Sequence, residues 1–282
     1  MRRHNLIKAF VLLLLALVFL LPVGMLFSGS FMGADEVSDK IGPVLSENVG
    51  PQAKGFLLPR YPTLQPYVQL LLDSPEFFHM FWNTCRIVFP VLLGQLFVSA
   101  PAAWALAKFR FRGRKCLFLL YIALMLMPFQ VTMAPSVITL RTLGLMDTPW
   151  AVILPMIFSP FYIFLLRQFM VGLPNGLLEA GMIDGAGPVR GFVHVILPVC
   201  KPILGAAAAL SFADCWNMVE QPLVYLANNS AAQPLSVMFN QISTEGADVA
   251  FAGSALYILP TMLIYLYFQE DILQGVQLSE LK

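Results

Sequence analysis

The chain has 282 residues, of which 58% are hydrophobic and only 12% charged, and its formal net charge is +1. That composition lies outside the range of soluble globular domains, and a balance so near neutral excludes a nucleic-acid-binding surface built on bulk charge. Four cysteines without a CxxC pair and three histidines without metal-ligand spacing give no basis for a disulfide framework or a metal centre.

The first element is the N-terminal run "MRRHNLIKAFVLLLLALVFLLPVGMLFSGS". Basic residues before a leucine-rich stretch also describe a signal peptide. The uncharged length from Ala9 to Ser28 nevertheless suits the roughly 30 Å hydrocarbon core, which takes about 20 helical residues, so an uncleaved first span over 1–30 is predicted. Residues 31–80 follow as an extracytoplasmic loop, too long for a tight turn and punctuated by Pro43, Pro51, Pro59, Pro62, Pro66 and Pro75. Five more apolar runs lie near 83–107, 117–140, 149–171, 197–219 and 249–268. Each is long enough to cross as a helix, the only open-ended structure whose backbone groups are satisfied in lipid. The fold class expected is therefore an all-α integral membrane protein with six transmembrane helices, its core at 81–270 and a cytoplasmic tail at 271–282.

Charge placement orients the spans, because lysine and arginine are retained on the cytoplasmic side. Arg2, Arg3 and Lys8 precede the first run, and "KFRFRGRK" after the second carries Lys108, Arg110, Arg112, Arg114 and Lys115 without an acid. Residues 214–248 carry Asp214, Glu220, Glu245 and Asp248 without a base. Both termini are thus expected inside. Prolines 22, 90, 101, 128, 135, 155, 160 and 260 fall within or near spans, where they mark either kinks around a pathway or ordinary membrane-helix usage.

The segment 172–202 then falls on the cytoplasmic side. Pro174 and Asn175 start a short helix containing Leu177, Leu178, Met182 and Ile183, with Glu179 in an early turn. Gly181, Gly185, Ala186 and Gly187 weaken that helix unless a partner backbone approaches closely. After Pro188, Val189, Phe192, Val193 and Ile196 share one face at i, i+3, i+4 and i+7, with Arg190 and His194 elsewhere. Two short helices exposing Glu179 and Asp184 beside small residues suit a docking surface; a solvated acidic loop is the alternative.

"EAGMIDGAGPVRGFVHVILPVCKP", residues 179–202, resembles the EAA loop of ABC importer permeases: Glu179, Ala180, Asp184, Gly185, Ala186, Phe192, Leu197, Pro198, Lys201 and Pro202 match, and Gly181 replaces the usual second alanine. "FWNTCRIVFP", "AWALAKFRFRGRK", "LMLMPFQVTMAPSVITLRTLGLMDTPWAVILP", "FLLRQFMVGLP" and "CWNMVEQPLVYL" extend the resemblance over about 80–270, to the carbohydrate branch and its second, maltose-type permease subunit. The tail "GVQLSELK" departs from the glycine-rich ending of that branch.

The resemblance implies a type I importer permease fold in a bacterial or archaeal plasma (inner) membrane. It also implies a partner permease, two ATP-binding subunits, an extracytoplasmic solute-binding protein and a sugar substrate. ATPase coupling would lie at Glu179, Ala180, Gly181, Asp184, Gly185 and Ala186, with Glu179 pairing a basic residue of the ATPase. No GxxxxGK[ST] phosphate loop occurs, so this chain is not expected to be an enzyme; ATP and Mg belong to the partner ATPase, and no cofactor is expected on this chain. Membrane lipid is the remaining partner, and nucleic acid is not one.

Two other classes compete. A secondary transporter would place ionisable residues deep in the spans, whereas Arg86, Asp214 and Glu220 fall towards outer ends and Arg167 towards an inner end. A structural or regulatory membrane subunit would carry the docking loop without lining a pathway. Candidate pathway residues are Gln130, Asn217, Gln221 and Tyr225, joined by Gln95, Thr132 and Ser136, which offer hydrogen bonds to sugar hydroxyls, and Trp216, which offers a stacking face. Helix–helix hydrogen bonding explains the same polar residues.

Overall fold

The computed structural model describes residues 2–45, 58–174, 176, 177, 179, 187–239 and 246–280, and among them there is no strand. Helix α1 (Arg2–Gly29) is followed by α2 (Ala34–Leu45), α3 (Gln65–Val68, continued by a π turn at Gln69–Asp73) and α4 (Pro75–Lys108). Then come α5 (Arg114–Met125), α6 (Phe129–Thr142), α7 (Pro149–Ile157), α8 (Pro160–Gly172), α9 (Pro188–Val199) and α10 (Lys201–Trp216). The last three are α11 (Glu220–Tyr225), α12 (Leu235–Phe239) and α13 (Ala247–Glu280).

Among the described residues, four helical stretches have the length and apolarity to cross a membrane: Ile7–Gly29, Pro75–Lys108, Pro149–Gly172 and Ala247–Leu273. Two expected spans are instead bent pairs, α5 with α6 at 101° and α9 with α10 at 75°, so the described residues hold four to six candidate spans. Each bend has a proline at its root. Pro128 caps α6 in an extended conformation (ψ 147) and denies the incoming helix a backbone donor. At the second bend, Pro202 occupies the first turn of α10, where no donor is needed, while Cys200 leaves helical geometry (ψ 1). The run expected at 149–171 is also divided, between α7 and α8, where Pro160 opens the second helix.

The chain forms two compact units. In the first, Met1–His79 with Met238–Pro260, α1 exposes its side chains from Ile7 to Leu21, with Phe19 75% accessible. A helix apolar on every side satisfies its own backbone and is suited to hydrocarbon. The segment read as a loop is in fact partly helical, and it closes around Lys40. The Lys40 ammonium lies 2.7 Å from the Glu36 carboxylate and donates to the Leu58 carbonyl at 2.9 Å. Glu36 in turn accepts the Arg60 amide at 2.8 Å. A small core of Met32, Val37 and Ala247 lies in the same unit, and the Tyr67 hydroxyl donates to Ser30 at 2.7 Å.

Burial opposes the charge on Glu36, but the Lys40 ammonium and the Arg60 and Tyr61 amides outweigh it and hold the carboxyl below its ordinary range. Stabilisation from this group is therefore complete above the ordinary carboxylate value and is lost as pH falls through the lower folded value. Hydrogen–deuterium exchange at Arg60 and Tyr61, corrected for intrinsic rates, is expected to accelerate below that point. Glu36→Gln should show faster exchange, by about tenfold, already at neutral pH.

The second unit, Met80–Val237 with Thr261–Lys282, contains the larger core. Ala103 and Trp104 of α4, Leu166 and Met170 of α8, and Ile196 and Ile203 on either side of the α9–α10 bend pack together there. Gly94 lets α4 approach α7 closely, since a β-carbon at that position would lie 2.6 Å from Ile157.

Candidate functional site

The segment singled out as a docking surface emerges from this larger core and returns to it. On the outgoing side α8 ends at Leu173, whose carbonyl accepts the Lys108 ammonium at 2.6 Å. A cation at a helix C-terminus meets both an orphan carbonyl and the negative end of the helix dipole. Gly176, Leu177 and Glu179 are helical and exposed, as the helix-start chemistry predicts. Ala180, Gly181, Asp184, Gly185 and Ala186 lie outside the described residues.

On the returning side Gly187 is extended, Pro188 opens α9, and Phe192 stacks on Trp104 with ring centroids 4.9 Å apart. The even amphipathic face expected for this helix is only half realised. Ile196 is 1% accessible, whereas Val189 is 74% accessible and Val193 is also exposed. A π turn over Phe192–Ile196, whose wider i→i+5 bonding changes the register after Phe192, shifts Val193 off the face that carries Phe192 and Ile196; Val189 lies before it and is exposed at the start of the helix. Arg190 and His194 are exposed, as expected. Both legs of the segment are thus held by the end of α4, one through Lys108 and the other through Trp104. The sequence pattern missed these two positioning residues, because Lys108 counts there as a topology signal and Trp104 as one apolar residue among many.

The candidate pathway residues sit at the other end of α10 and only some of them come together. The Gln130 amide donates to both carboxylate oxygens of Glu220, at 3.2 and 3.3 Å, which makes Glu220 a member of the group that the spacing alone did not select. Asn217 is exposed and donates its amide to the Ala213 carbonyl at 2.8 Å. Gln221 is half-buried beside Glu220 in the first turn of α11. Tyr225 is 1% accessible, edge-on to Phe129. Trp216 offers no stacking face: it is 2% accessible, stacked on Phe212 at 5.1 Å and met edge-on by Phe81.

Gln95, Thr132 and Ser136 have internal roles as well. Gln95 accepts from Ser211 and donates to the Met156 carbonyl at 2.7 Å, tying α4 to α10 and α7, while Thr132 and Ser136 bond backbone carbonyls of their own helix. Helix–helix and intrahelical bonding accounts for these three. A neighbouring clip is formed by Asp147, which has φ 61 and accepts both the backbone amide of Asn228, at 2.9 Å, and its side-chain amide, at 3.1 Å. Those bonds hold the Asp147 carboxyl below its usual range and fix the turn after α6 to the end of α11. Among the described residues no cluster of three metal-ligating side chains occurs.

Three comparisons bear on this architecture. The family described as binding-protein-dependent transport system inner membrane component matches residues 95–276. The arabinooligosaccharides transport system permease protein AraQ of Halalkalibacterium halodurans is 30% identical over 78% of this chain and 80% of its own length. AraQ of Bacillus subtilis is 29% identical over 96% and 93%. The sn-glycerol-3-phosphate transport system permease protein UgpE of Yersinia pestis is 31% identical over 74% and 75%. A crystal structure of a bacterial ABC transporter involved in import of the acidic polysaccharide alginate contains a chain with the same fold. Its TM-score is 0.79 at 24% identity, over 95% of this chain and 96% of that one. With its several membrane-crossing helices, this chain is a multi-pass membrane protein that belongs to the binding-protein-dependent transport system inner membrane component family, the permeases of ABC importers.

Proposed function

We propose that this chain is one of two permease subunits of a type I importer, with six spans, both termini cytoplasmic, and the two bent pairs each counted as one span. Its partners are a second permease, two ATP-binding subunits that carry ATP and Mg, and an extracytoplasmic solute-binding protein; the host membrane is a bacterial or archaeal inner membrane. The substrate is a sugar or oligosaccharide, the class that the names of the AraQ relatives give for those proteins. The observation that carries the reading is the exposed Glu179 on a segment whose two legs are anchored in one core, by Lys108 at Leu173 and by Trp104 at Phe192. A push delivered at the tip of such a hairpin moves α4, α8 and α10 together, because packed interiors transmit displacement rather than absorb it.

Glu179, Ala180, Gly181, Asp184, Gly185 and Ala186 form the docking tip in this reading. Gln130, Gln221 and the added Glu220 are the polar groups nearest a pathway, with Asn217 and Tyr225 beside them. Uptake by vesicles holding both permeases, the ATP-binding subunits and the binding protein tests it. Labelled arabinooligosaccharide is expected to accumulate only with ATP and only when this chain is present. Uptake that persists without this chain would make it a regulatory subunit. Uptake of sn-glycerol-3-phosphate instead would overturn the substrate class.

A further inference from the structure

Residues 61–72 belong to the segment expected outside the membrane, yet they contain no charged residue and present an exposed apolar face. From the N-cap of α3 through its π turn, Leu64, Val68 and Leu72 recur every four residues and are 62%, 47% and 77% accessible. Tyr61 extends that surface and is exposed as well. Pro66 and Leu70, which alternate with them, are buried. Three large aliphatic side chains in a row facing water forgo the free energy of burial, so a face of this kind marks a contact with another apolar surface.

Contacts within the first unit set the depth of this face. The Thr63 amide donates to the Phe31 carbonyl at 2.9 Å, and Tyr67 bonds Ser30, just beyond Gly29, where α1 ends. Ile7–Gly29 rises about 35 Å at 1.5 Å per residue, slightly more than the roughly 30 Å hydrocarbon core, so its end lies at the lipid–water boundary. On its buried side, Leu70 packs against α13: a β-carbon at Gly253 would lie 3.5 Å from the Leu70 Cδ2. Gly253 falls inside the apolar stretch Ala247–Leu273, so the segment sits against a membrane-crossing helix and not above it. The approach to the face is pinned too, by Lys40 at the Leu58 carbonyl and by Glu36 at the Tyr61 amide, 3.4 Å away.

We infer that residues 61–72 lie flat in the outer leaflet as an interfacial anchor, with Leu64, Val68 and Leu72 sunk into the boundary between headgroups and acyl chains and Tyr61 at the headgroups. The inference rests on the topology proposed above, which puts this unit outside. Lipid is the occupant because the face continues the surface of α1, whose exposed apolar side chains already suit hydrocarbon, at the depth where that helix leaves it. Gln65 and Asp73, both exposed, give the segment polar margins. A short helix with one apolar side settles about 5–10 Å into such a boundary, and tyrosine is enriched there. Anchored in this way, the segment braces the outer ends of α1 and α13 at the membrane surface.

The test replaces Leu64, Val68 or Leu72, one at a time, with the photocrosslinking residue p-benzoylphenylalanine in the complete transporter in its own membrane. Asp35, exposed and charged in the first turn of α2, is the control position, and co-purification of the partner subunits verifies assembly. After irradiation, mass spectrometry is expected to find phospholipid adducts at the three apolar positions about tenfold above those at Asp35. Adducts with the solute-binding protein or the partner permease at those positions, or as much lipid adduct at Asp35, would overturn the inference. Topology is read separately, by labelling Ser38→Cys with an impermeant maleimide on cells stripped of their wall, where labelling from outside is expected. Outside labelling with protein adducts refutes the lipid contact alone. Labelling from the cytoplasmic side only refutes the topology, and the outer leaflet with it.

Discussion

Glu179→Ala is expected to lower substrate-stimulated ATP hydrolysis and uptake by about tenfold or more while the subunits still assemble. The side chain is exposed and helical, so nothing in the chain's own core depends on it. Its loss therefore acts through a partner. A charge-assisted hydrogen bond across an interface is worth about 1.5–3 kcal/mol, and each 1.4 kcal/mol is a factor of ten in the equilibrium it supports. Glu179→Gln should fall between wild type and alanine, because it keeps a hydrogen-bond acceptor without the charge. Glu179→Lys should be worst, since it would meet a basic partner with like charge. Measuring basal and stimulated ATPase rates beside uptake in proteoliposomes separates these outcomes. Wild-type coupling in all three variants would dismiss Glu179 as the contact.

Trp104→Ala is expected to have the largest effect on the fold. Trp104 is 7% accessible and supports Phe192 at 4.9 Å on one side and Phe109 at 4.6 Å on the other. Truncating a buried aromatic of this size costs about 3–5 kcal/mol in transfer and cavity terms. Trp104→Phe should be tolerated far better. A phenyl ring keeps an aromatic face against Phe192, and the indole N–H it removes is buried without a hydrogen-bond partner. Thermal unfolding in detergent reads the stability difference. Coupling gives an independent readout: the folded fraction of Trp104→Ala should hydrolyse ATP without matching uptake, because the returning leg of the docking segment has lost its support. Trp104→Ala with wild-type stability and wild-type coupling would refute both roles.

Much of this was legible in the sequence because membrane insertion imposes long apolar runs and segregated charge. The positions of α1, α4, α8 and α13 followed from that constraint alone. The two bends were not legible as bends. Proline usage marked Pro128 and the region of Pro202, but a proline at a helix start and a proline inside a helix look alike in one dimension. Pro90 and Pro101 lie within an unbroken α4, whereas Pro128 ends one helix and begins another. The π turn at Phe192–Ile196 was invisible for a related reason: a 3.6-residue period was a fair reading of the apolar spacing, and only packing against Trp104 reveals the different register.

The polar candidates divide in the same way. Composition identified Gln95, Gln130, Asn217 and Trp216 as unusual in an apolar chain, but residue type does not reveal which groups bond to one another. Gln95 serves Ser211 and Met156, Trp216 serves the aromatic core, and Gln130 is left facing Glu220.

By itself, then, the sequence determined that the chain lives in a membrane, that several long apolar runs suit crossing it, and that an acidic, glycine-softened segment interrupts them, because hydrophobicity and charge are properties of residue order. Tertiary structure decided that the end of α4 holds both legs of that segment and that Gln130 of α6 meets Glu220 of α11. These are contacts between residues far apart in the chain, where close packing rather than local pattern sets the partner.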